Sequence, residues 1–305
     1  MKKLRIGTRD SALALWQATN VEKKLNDLGY ETEIIAVKST GDLILDKPLY
    51  ELGITGIFTK TLDVALLKGE IDLAVHSMKD VPTQLPKGIV QSAVLERANT
   101  LDVLIHKGDL SFLENEGTIA TGSLRRQAQW LHRYPNHKTT DLRGNVATRL
   151  QKLEDNDWGG AIFAAAGLER LQISPENYLP LDWMIPAPAQ GAMVVVCLEH
   201  DDFTKKAVSI LNNRASEICT FVERQFLKTL EGGCTAPIGA LATLQNETIH
   251  LKGALFSLDG TQKIEVDESI ELQSYLDFGT NCAKKILHNG GMALMESIKK
   301  SLLKN

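Results

Sequence analysis

Residues 4–37 read LRIGTRDSALALWQATNVEKKLNDLGYETEIIAV. They divide into a short β-rich run (Leu4 to Gly7), an amphipathic helical run (Ala12 to Leu25) and a second β-rich run (Glu33 to Val37). Within the middle run Leu15, Ala18, Val21 and Leu25 fall near one helical face, and Asp10 or Ser11 is available to cap it. Strand, helix and strand in alternation imply a parallel sheet covered by helices, an α/β fold. The pattern continues: Phe58, Leu62, Ala65 and Leu66 form another apolar stripe that stops at Gly69, ahead of a strand expected over Ile71 to Val75.

A second α/β unit is expected from near residue 100. Its strands are Val103 to Ile105, Thr118 to Thr121 and Ala161 to Ala164, with helices starting near Ser123 and Asn145. The passage Ile185-Pro186-Ala187-Pro188-Ala189 reads as a crossing between units, and Val194 to Leu198 as a buried strand returning to the first. After a helix from about Arg214 to Leu230, hairpin-like strands over Ile249 to Leu258 and Lys263 to Val266 flank Asp259-Gly260, and a long helical pattern follows. The expected domains are 1–96 with 192–213, then 97–191, then a smaller α+β domain over 214–305.

Bulk properties agree with several soluble domains. A chain of 305 residues is longer than one core usually organises, and 43% apolar with 24% charged residues argues against extended disorder. A formal charge of -4 removes any whole-protein case for binding nucleic acid. No run approaches the roughly 18 to 20 apolar residues of a membrane helix, and the opening lysines are not followed by a signal-peptide core, so a cytosolic location is expected. The four cysteines, Cys197, Cys219, Cys234 and Cys282, form no CxxC pair, which suggests neither a disulfide framework nor a zinc site.

Arginine placement is the first sign of chemistry. Arg9, Arg125, Arg126, Arg143, Arg149 and Arg170 all fall at or near expected strand-to-helix junctions, which line the ligand crevice of open α/β sheets. A guanidinium grips carboxylate or phosphate bidentately, and helix N-termini add amide donors, so the set suggests a ligand with several anionic groups. Solvated helix-start residues in surface salt bridges are the plainer alternative. Thr121-Gly122-Ser123-Leu124-Arg125-Arg126 resembles an anion loop but lacks the spacing of a P-loop or of GxGxxG, which argues against a nucleotide. Thr121 and Ser123 offer hydroxyls there, or Ser123 simply caps the helix.

Two further segments carry candidates. Asp80, in His76-Ser77-Met78-Lys79-Asp80-Val81-Pro82 at the end of an expected strand, is an acid/base candidate able to stabilise a cationic intermediate or shuttle a proton; it is otherwise a turn residue. His76 and Ser77 are adjacent on a strand and point to opposite faces, which discounts a hydrolase triad. In Leu230-Glu231-Gly232-Gly233-Cys234-Thr235-Ala236-Pro237-Ile238-Gly239 the glycines let the backbone expose Cys234 as a nucleophile, the alternative being a buried turn cysteine. Cys197, Cys219 and Cys282 read as packing residues.

In shared order, these segments resemble the porphobilinogen deaminase (hydroxymethylbilane synthase) family from Arg5 to about Gly239. The matching motifs are Thr8-Arg9-Asp10-Ser11 with Ala14-Leu15-Trp16-Gln17, Ala74 to Pro82, Gly122 to Gln127, and Leu142-Arg143-Gly144-Asn145-Val146 with Thr148-Arg149-Leu150. Ala166-Gly167-Leu168-Glu169-Arg170, Gln190-Gly191-Ala192 and Leu230 to Gly239 complete the set. The resemblance implies a transferase of tetrapyrrole (heme) biosynthesis that joins four porphobilinogen molecules head to tail, releasing ammonia and yielding hydroxymethylbilane. It implies a dipyrromethane cofactor held as a thioether, here to Cys234, and a catalytic carboxylate at Asp80 that assists ammonia loss and stabilises cationic intermediates. It assigns Lys79, Thr121, Ser123, Arg125, Arg126, Arg143 and Gly144 to the cofactor, and Arg9, Ser11, Arg149, Arg170 and Gln190 to substrate and growing chain. It also implies two type II periplasmic-binding-protein-like α/β domains plus the smaller α+β domain, no metal, and a cytoplasmic monomer.

Two departures stand out. Many members carry lysine just before Gly-Leu-Phe, and some another earlier, whereas this chain has Thr55 and Glu51, so no cofactor role transfers to that stretch. Gly53 and Gly56 still suit a moving lid. Gly122 replaces a second hydroxyl residue common in the family. Rival readings are a two-lobed solute-binding or sensor protein, which gives Cys234 and Asp80 no role, and a thiol enzyme acting on phosphorylated substrates, which lacks an evident base beside the cysteine.

Overall fold

The computed structural model describes residues 2–38, 58–230 and 236–302. The chain opens with β1 (Leu4–Arg9), α1 (Ala12–Asp27), β2 (Thr32–Val37), α2 (Lys60–Leu67), β3 (Leu73–Ser77) and β4 (Ile89–Val94). There follow β5 (Asp102–His106), β6 (Thr118–Ala120), α3 (Leu124–Arg133), β7 (Lys138–Thr140), α4 (Val146–Asp155), β8 (Gly160–Ala164), α5 (Ala165–Arg170) and β9 (Tyr178–Pro180). The remainder is β10 (Met193–Leu198), α6 (Asp202–Ser209), α7 (Arg214–Thr229), β11 (Ile238–Gln245), β12 (Thr248–Phe256), β13 (Lys263–Glu271), α8 (Phe278–Ile286) and α9 (Met292–Leu302).

By compactness the described residues form two units: one holds those up to Ala98 together with Gln190–Ile218, the other Asn99–Ala189 and those from Cys219 on. In the first, a five-stranded sheet has the order β2-β1-β3-β10-β4 among the described residues. β1 pairs parallel with β2 and β3, whereas β10 runs antiparallel to both β3 and β4. Its core gathers Leu4 and Ile6 with Ala18, Val21 and Leu25 of α1 and Val195 and Cys197 of β10. Leu15 of the expected stripe is only half-buried, while Ala14 and Gln17 are buried beside Ala18. The face of α1 is therefore rotated slightly towards Ala14, and Ser11 is the residue that caps it, accepting from the Ala14 amide at 3.4 Å.

The third strand begins two residues later than the Ile71 to Val75 pattern. The physical reason lies in Asp72: its carboxylate accepts the backbone amide of Arg5 at 2.9 Å and the Arg5 side chain from Nε and Nη2. A carboxylate thus takes the place of a ladder carbonyl, and regular strand starts at Leu73.

The second unit repeats the arrangement with the order β7-β6-β8-β5-β9, in which β6 is parallel to β7 and β8, and β5 is antiparallel to β8 and β9. Alternate residues of β5 and β8 feed cores on both faces. Val103, Ile105, Ala161 and Phe163 meet Leu142, Leu153 and Leu168, while Leu104 and Ile162 meet Trp130, Leu181 and Met184. Both halves are therefore mixed α/β sheets with the same order of strands. A smaller antiparallel sheet, β11-β12-β13, with α8 and α9 completes this unit, and Ala254 and Phe256 of β12 pack on Ala128 and Ile185. The closing helical pattern is interrupted over Leu287–Gly291, where Gly290 takes a φ of 102°. No helix among the described residues is long and apolar enough to cross a membrane.

Candidate active site

In the first unit, functional side chains cluster where parallel strands end. β1 finishes at Arg9, whose guanidinium lies 4.4 Å from the centre of the Phe58 ring, and Ser11 follows at the helix cap. β3 runs into a short 3-10 turn, Met78–Asp80, on which Lys79 and Asp80 are half-buried. The antiparallel β10 opens beside this turn, with Met193 opposite Ser77, and the Met78 amide donates to the Ala192 carbonyl at 3.0 Å. That register brings buried Gln190 within reach: Lys79 Nζ donates to its Oε1 at 3.3 Å and Arg97 Nε to its carbonyl at 2.8 Å.

Ser77 and His76 do face apart. The Ser77 hydroxyl accepts from Gln17 Nε2 at 2.8 Å, whereas His76 is buried and its Nε2 meets no hydrogen-bond partner among the described residues. Burial, reinforced by the positive charge of Arg9, pushes the His76 imidazole down to about 4, so it is neutral near pH 7.

In the second unit the arginines gather at the carboxyl ends of β7, β6 and β8, three neighbouring parallel strands. After β6 the Thr121 amide donates to the Thr140 carbonyl, and the loop turns into α3 with Arg125 and Arg126 in its first turn. Ser123 occupies the cap position without making a side-chain capping bond; its own amide donates to Thr121 Oγ1 at 3.3 Å. Gly122 lies so close to the next loop that an added Cβ would stand 2.7 Å from the Leu142 carbonyl oxygen. After β7 come Arg143, which is buried, and Gly144 with a φ of 112°, a value suited to glycine. Asn145 caps α4 by accepting the Thr148 amide, and Arg149 folds back to donate from Nε to the Gly144 carbonyl at 2.7 Å. Arg170 closes the six-residue α5 after β8, so it stands at a helix end instead of at the junction itself, and it too is buried.

Arg125, Arg126, Arg143 and Arg170 are only 5%, 6%, 5% and 8% exposed, and burial lowers the pKa of Arg126, Arg143 and Arg170. Two carboxylates in this unit are comparably buried. Asp102 pairs with Arg125 and Arg126, and Glu223 accepts the amides of Ala189 and Ala242 at 2.6 and 2.7 Å. Neither acid was singled out by sequence reasoning. Asp102 left one signal, a charge at the head of the otherwise apolar Val103-Leu104-Ile105. Glu223 left none, being one acid among several on α7; it holds Ala189 at a φ of 63° just ahead of Gln190. Four buried guanidiniums grouped on neighbouring strand ends offer the forked donors that a ligand with several carboxylates would use.

Cys234, together with Glu51, Gly53, Thr55 and Gly56, lies outside the described residues. The described cysteines are all buried, with burial raising the thiols of Cys197 and Cys282, the latter to about 11. Such thiols are poor nucleophiles at neutral pH. No group of histidine, cysteine and acidic side chains suited to a metal occurs among the described residues.

Residues 4–206 match the family model described as porphobilinogen deaminase, dipyromethane cofactor binding domain, and residues 217–288 match the model of the same family's C-terminal domain. The chain belongs to the porphobilinogen deaminase family. Porphobilinogen deaminases of Chlorobium phaeobacteroides and Syntrophomonas wolfei are each 41% identical to it over 98% of its length, covering 99% and 100% of theirs. That of Campylobacter hominis is 40% identical over 97% of this chain and 98% of its own. Among solved structures, a periplasmic substrate-binding protein of an ABC transporter from Coxiella burnetii is similar with a TM-score of 0.43 and 17% identity, over 70% of this chain and 94% of that one. The L-cystine solute receptor of Neisseria gonorrhoeae gives 0.42 and 13%, over 73% and 90%. Membership makes the chain an enzyme of the transferase class, with the hydroxymethylbilane synthase activity of the family and dipyrromethane as its cofactor.

Proposed function

We propose that Cys234 anchors the dipyrromethane cofactor as a thioether, that the buried arginines of the second unit hold its carboxylates, and that Asp80 performs the proton chemistry. The reaction is that of the family: four porphobilinogen molecules condense head to tail onto the covalent primer, with release of ammonia and finally of hydroxymethylbilane, in tetrapyrrole (heme) biosynthesis. When bound, dipyrromethane supplies the pyrrole carbon to which the first substrate is joined. Everything else falls to the chain's own side chains.

The observation that carries this reading is the gathering of four buried arginines, Arg125, Arg126, Arg143 and Arg170, on neighbouring strand ends of the second unit, where their forked donors suit the carboxylates of a polyanion. Thr121, Ser123 and Gly144 sit among them on the same strand ends, and Arg149 adds a half-buried cation. In the first unit, Asp80 is half-buried on its turn, reachable by substrate, where its carboxylate holds the proton exchanged with the departing amine and offsets positive charge at the reacting carbon. Lys79 with Gln190, and Arg9 with Ser11, complete the anion-binding groups of that unit. The raised thiols of Cys197 and Cys282 support Cys234 as the anchor, since a thioether forms through a reachable thiolate.

We further infer a cytosolic monomer, as the family resemblance implies, with neither nucleic acid nor membrane as partner; the charge of -4 speaks against nucleic acid. The three-domain division at 1–96 with 192–213, 97–191 and 214–305 is supported by the separate β11-β12-β13 sheet. Intact mass is the direct test of the anchor. The purified chain is expected to carry the mass of two pyrrole units, absent from Cys234→Ala; an active enzyme of unmodified mass would refute it.

A further inference from the structure

Arg125 and Arg126 are neighbours that share one carboxylate. Asp102 is wholly buried; its Oδ2 accepts from Arg125 Nη1 at 2.7 Å, and its Oδ1 accepts from Arg126 Nε at 2.9 Å and Nη2 at 2.7 Å. The antiparallel pairing of β5 with β8 creates this arrangement, because it sets Asp102 opposite Ala164 at the edge where α3 begins.

The two guanidiniums are used differently. Arg126 gives its third nitrogen, Nη1, to the Ile162 carbonyl at 2.8 Å, so each of its nitrogens has a protein partner. Arg125 spreads one nitrogen, Nη1, over Asp102 and the Ile185 carbonyl at 2.8 Å, while its buried Nε meets no partner among the described residues. An orphaned buried donor keeps its full desolvation penalty, and a charged one more so. One carboxylate between two guanidiniums also leaves a positive charge uncompensated. Both features disappear when an anionic oxygen meets Arg125.

We propose that Asp102 is a positioning residue for cofactor binding: it ties Arg126 to the framework and fixes Arg125, whose Nε has no partner among the described residues, for a carboxylate of the dipyrromethane. The proposal rests on Arg125 belonging to the cofactor-holding set.

The test is a double-variant cycle in the full-length protein, read by intact mass for covalent load and by thermal melting for fold. Asp102→Asn keeps the shape and removes the charge; folded Asp102→Asn is expected to carry about tenfold less cofactor, by analogy with the loss seen when the outer partners of metal ligands are removed. Arg125→Gln is expected to lose load to a similar degree, and the double variant to load no worse than Arg125→Gln alone, because Asp102 acts through Arg125. Folded, fully loaded Asp102→Asn beside unloaded Arg125→Gln overturns the positioning role and leaves the cofactor reading intact, as does a double variant whose losses multiply. Fully loaded Arg125→Gln overturns the reading on which the proposal rests. Should Asp102→Asn not accumulate as folded protein, Asp102→Glu decides, since it keeps the charge and moves it outward by one methylene: reduced load in folded protein supports the proposal, and unchanged load refutes it.

Discussion

The two five-stranded sheets share one order of strands and directions, yet their antiparallel strand delivers opposite things to the same edge. In the first unit β10 brings Gln190, a neutral amide bonded to Lys79, beside half-buried Asp80. In the second, β5 brings Asp102, a carboxylate tied to two buried arginines. A group that exchanges protons with successive substrates must be reachable. Groups that hold a polyanion through every addition benefit from burial, where charge interacts more strongly and donors stay fixed. On the proposed assignment, one topology serves reaction in one unit and retention in the other.

The largest expected effect separates these roles. Asp80→Asn should lower turnover by about 10²–10⁴, the usual contribution of a positioned acid or base, while intact mass still shows full cofactor and melting stays within a degree or so of the parent. Loss of cofactor or of stability in that variant would place Asp80 with the holding groups and erase the contrast.

How far this was legible in the sequence depends on the range of the interaction. β1, α1 and β2 were readable because their periodicities are local, and the arginines because junction residues follow from strand ends. Asp102 was not: its partners lie 23 and 24 positions on, and only the strand order β8-β5 brings them together. β11 escaped notice because Ile238-Gly239-Ala240-Leu241-Ala242 is poor in β-branched and aromatic residues; its pairing with β12 decides its state. The closing helix reads as continuous, since only the Gly290-Gly291 pair hints at the break, and isolated glycines are tolerated in helices.

A second prediction exploits acid. His76 titrates near 4 when folded and at about 6.5 when unfolded, so the folded state binds its proton later. Its contribution is fully present above pH 6.5 and is lost as pH falls towards 4, up to roughly 3 kcal/mol. Urea unfolding at a series of pH values should show a shallower acid loss in His76→Gln than in the parent. Parallel curves would mean that the first unit has no buried base of this kind, and that acid acts on both units alike.

The smallest expected effect probes how rigidly Arg125 is held. Gly239 of β11 lies against Ile185, and an added Cβ would stand 2.8 Å from the Ile185 carbonyl oxygen and 2.9 Å from its Cβ. That carbonyl accepts from both Arg125 Nη1 and Gln129 Nε2. Backbone cannot rotate away as a side-chain tip does, so Gly239→Ala should cost about 1–3 kcal/mol in thermal or urea unfolding through displacement of residue 185. The same shift loosens one of the two partners of Nη1, so a modest fall in covalent load is expected, with kcat per loaded enzyme unchanged because Asp80 belongs to the other unit. A lowered kcat at full load would instead show that retention and reaction are not separable, and that the two sheets work as one device.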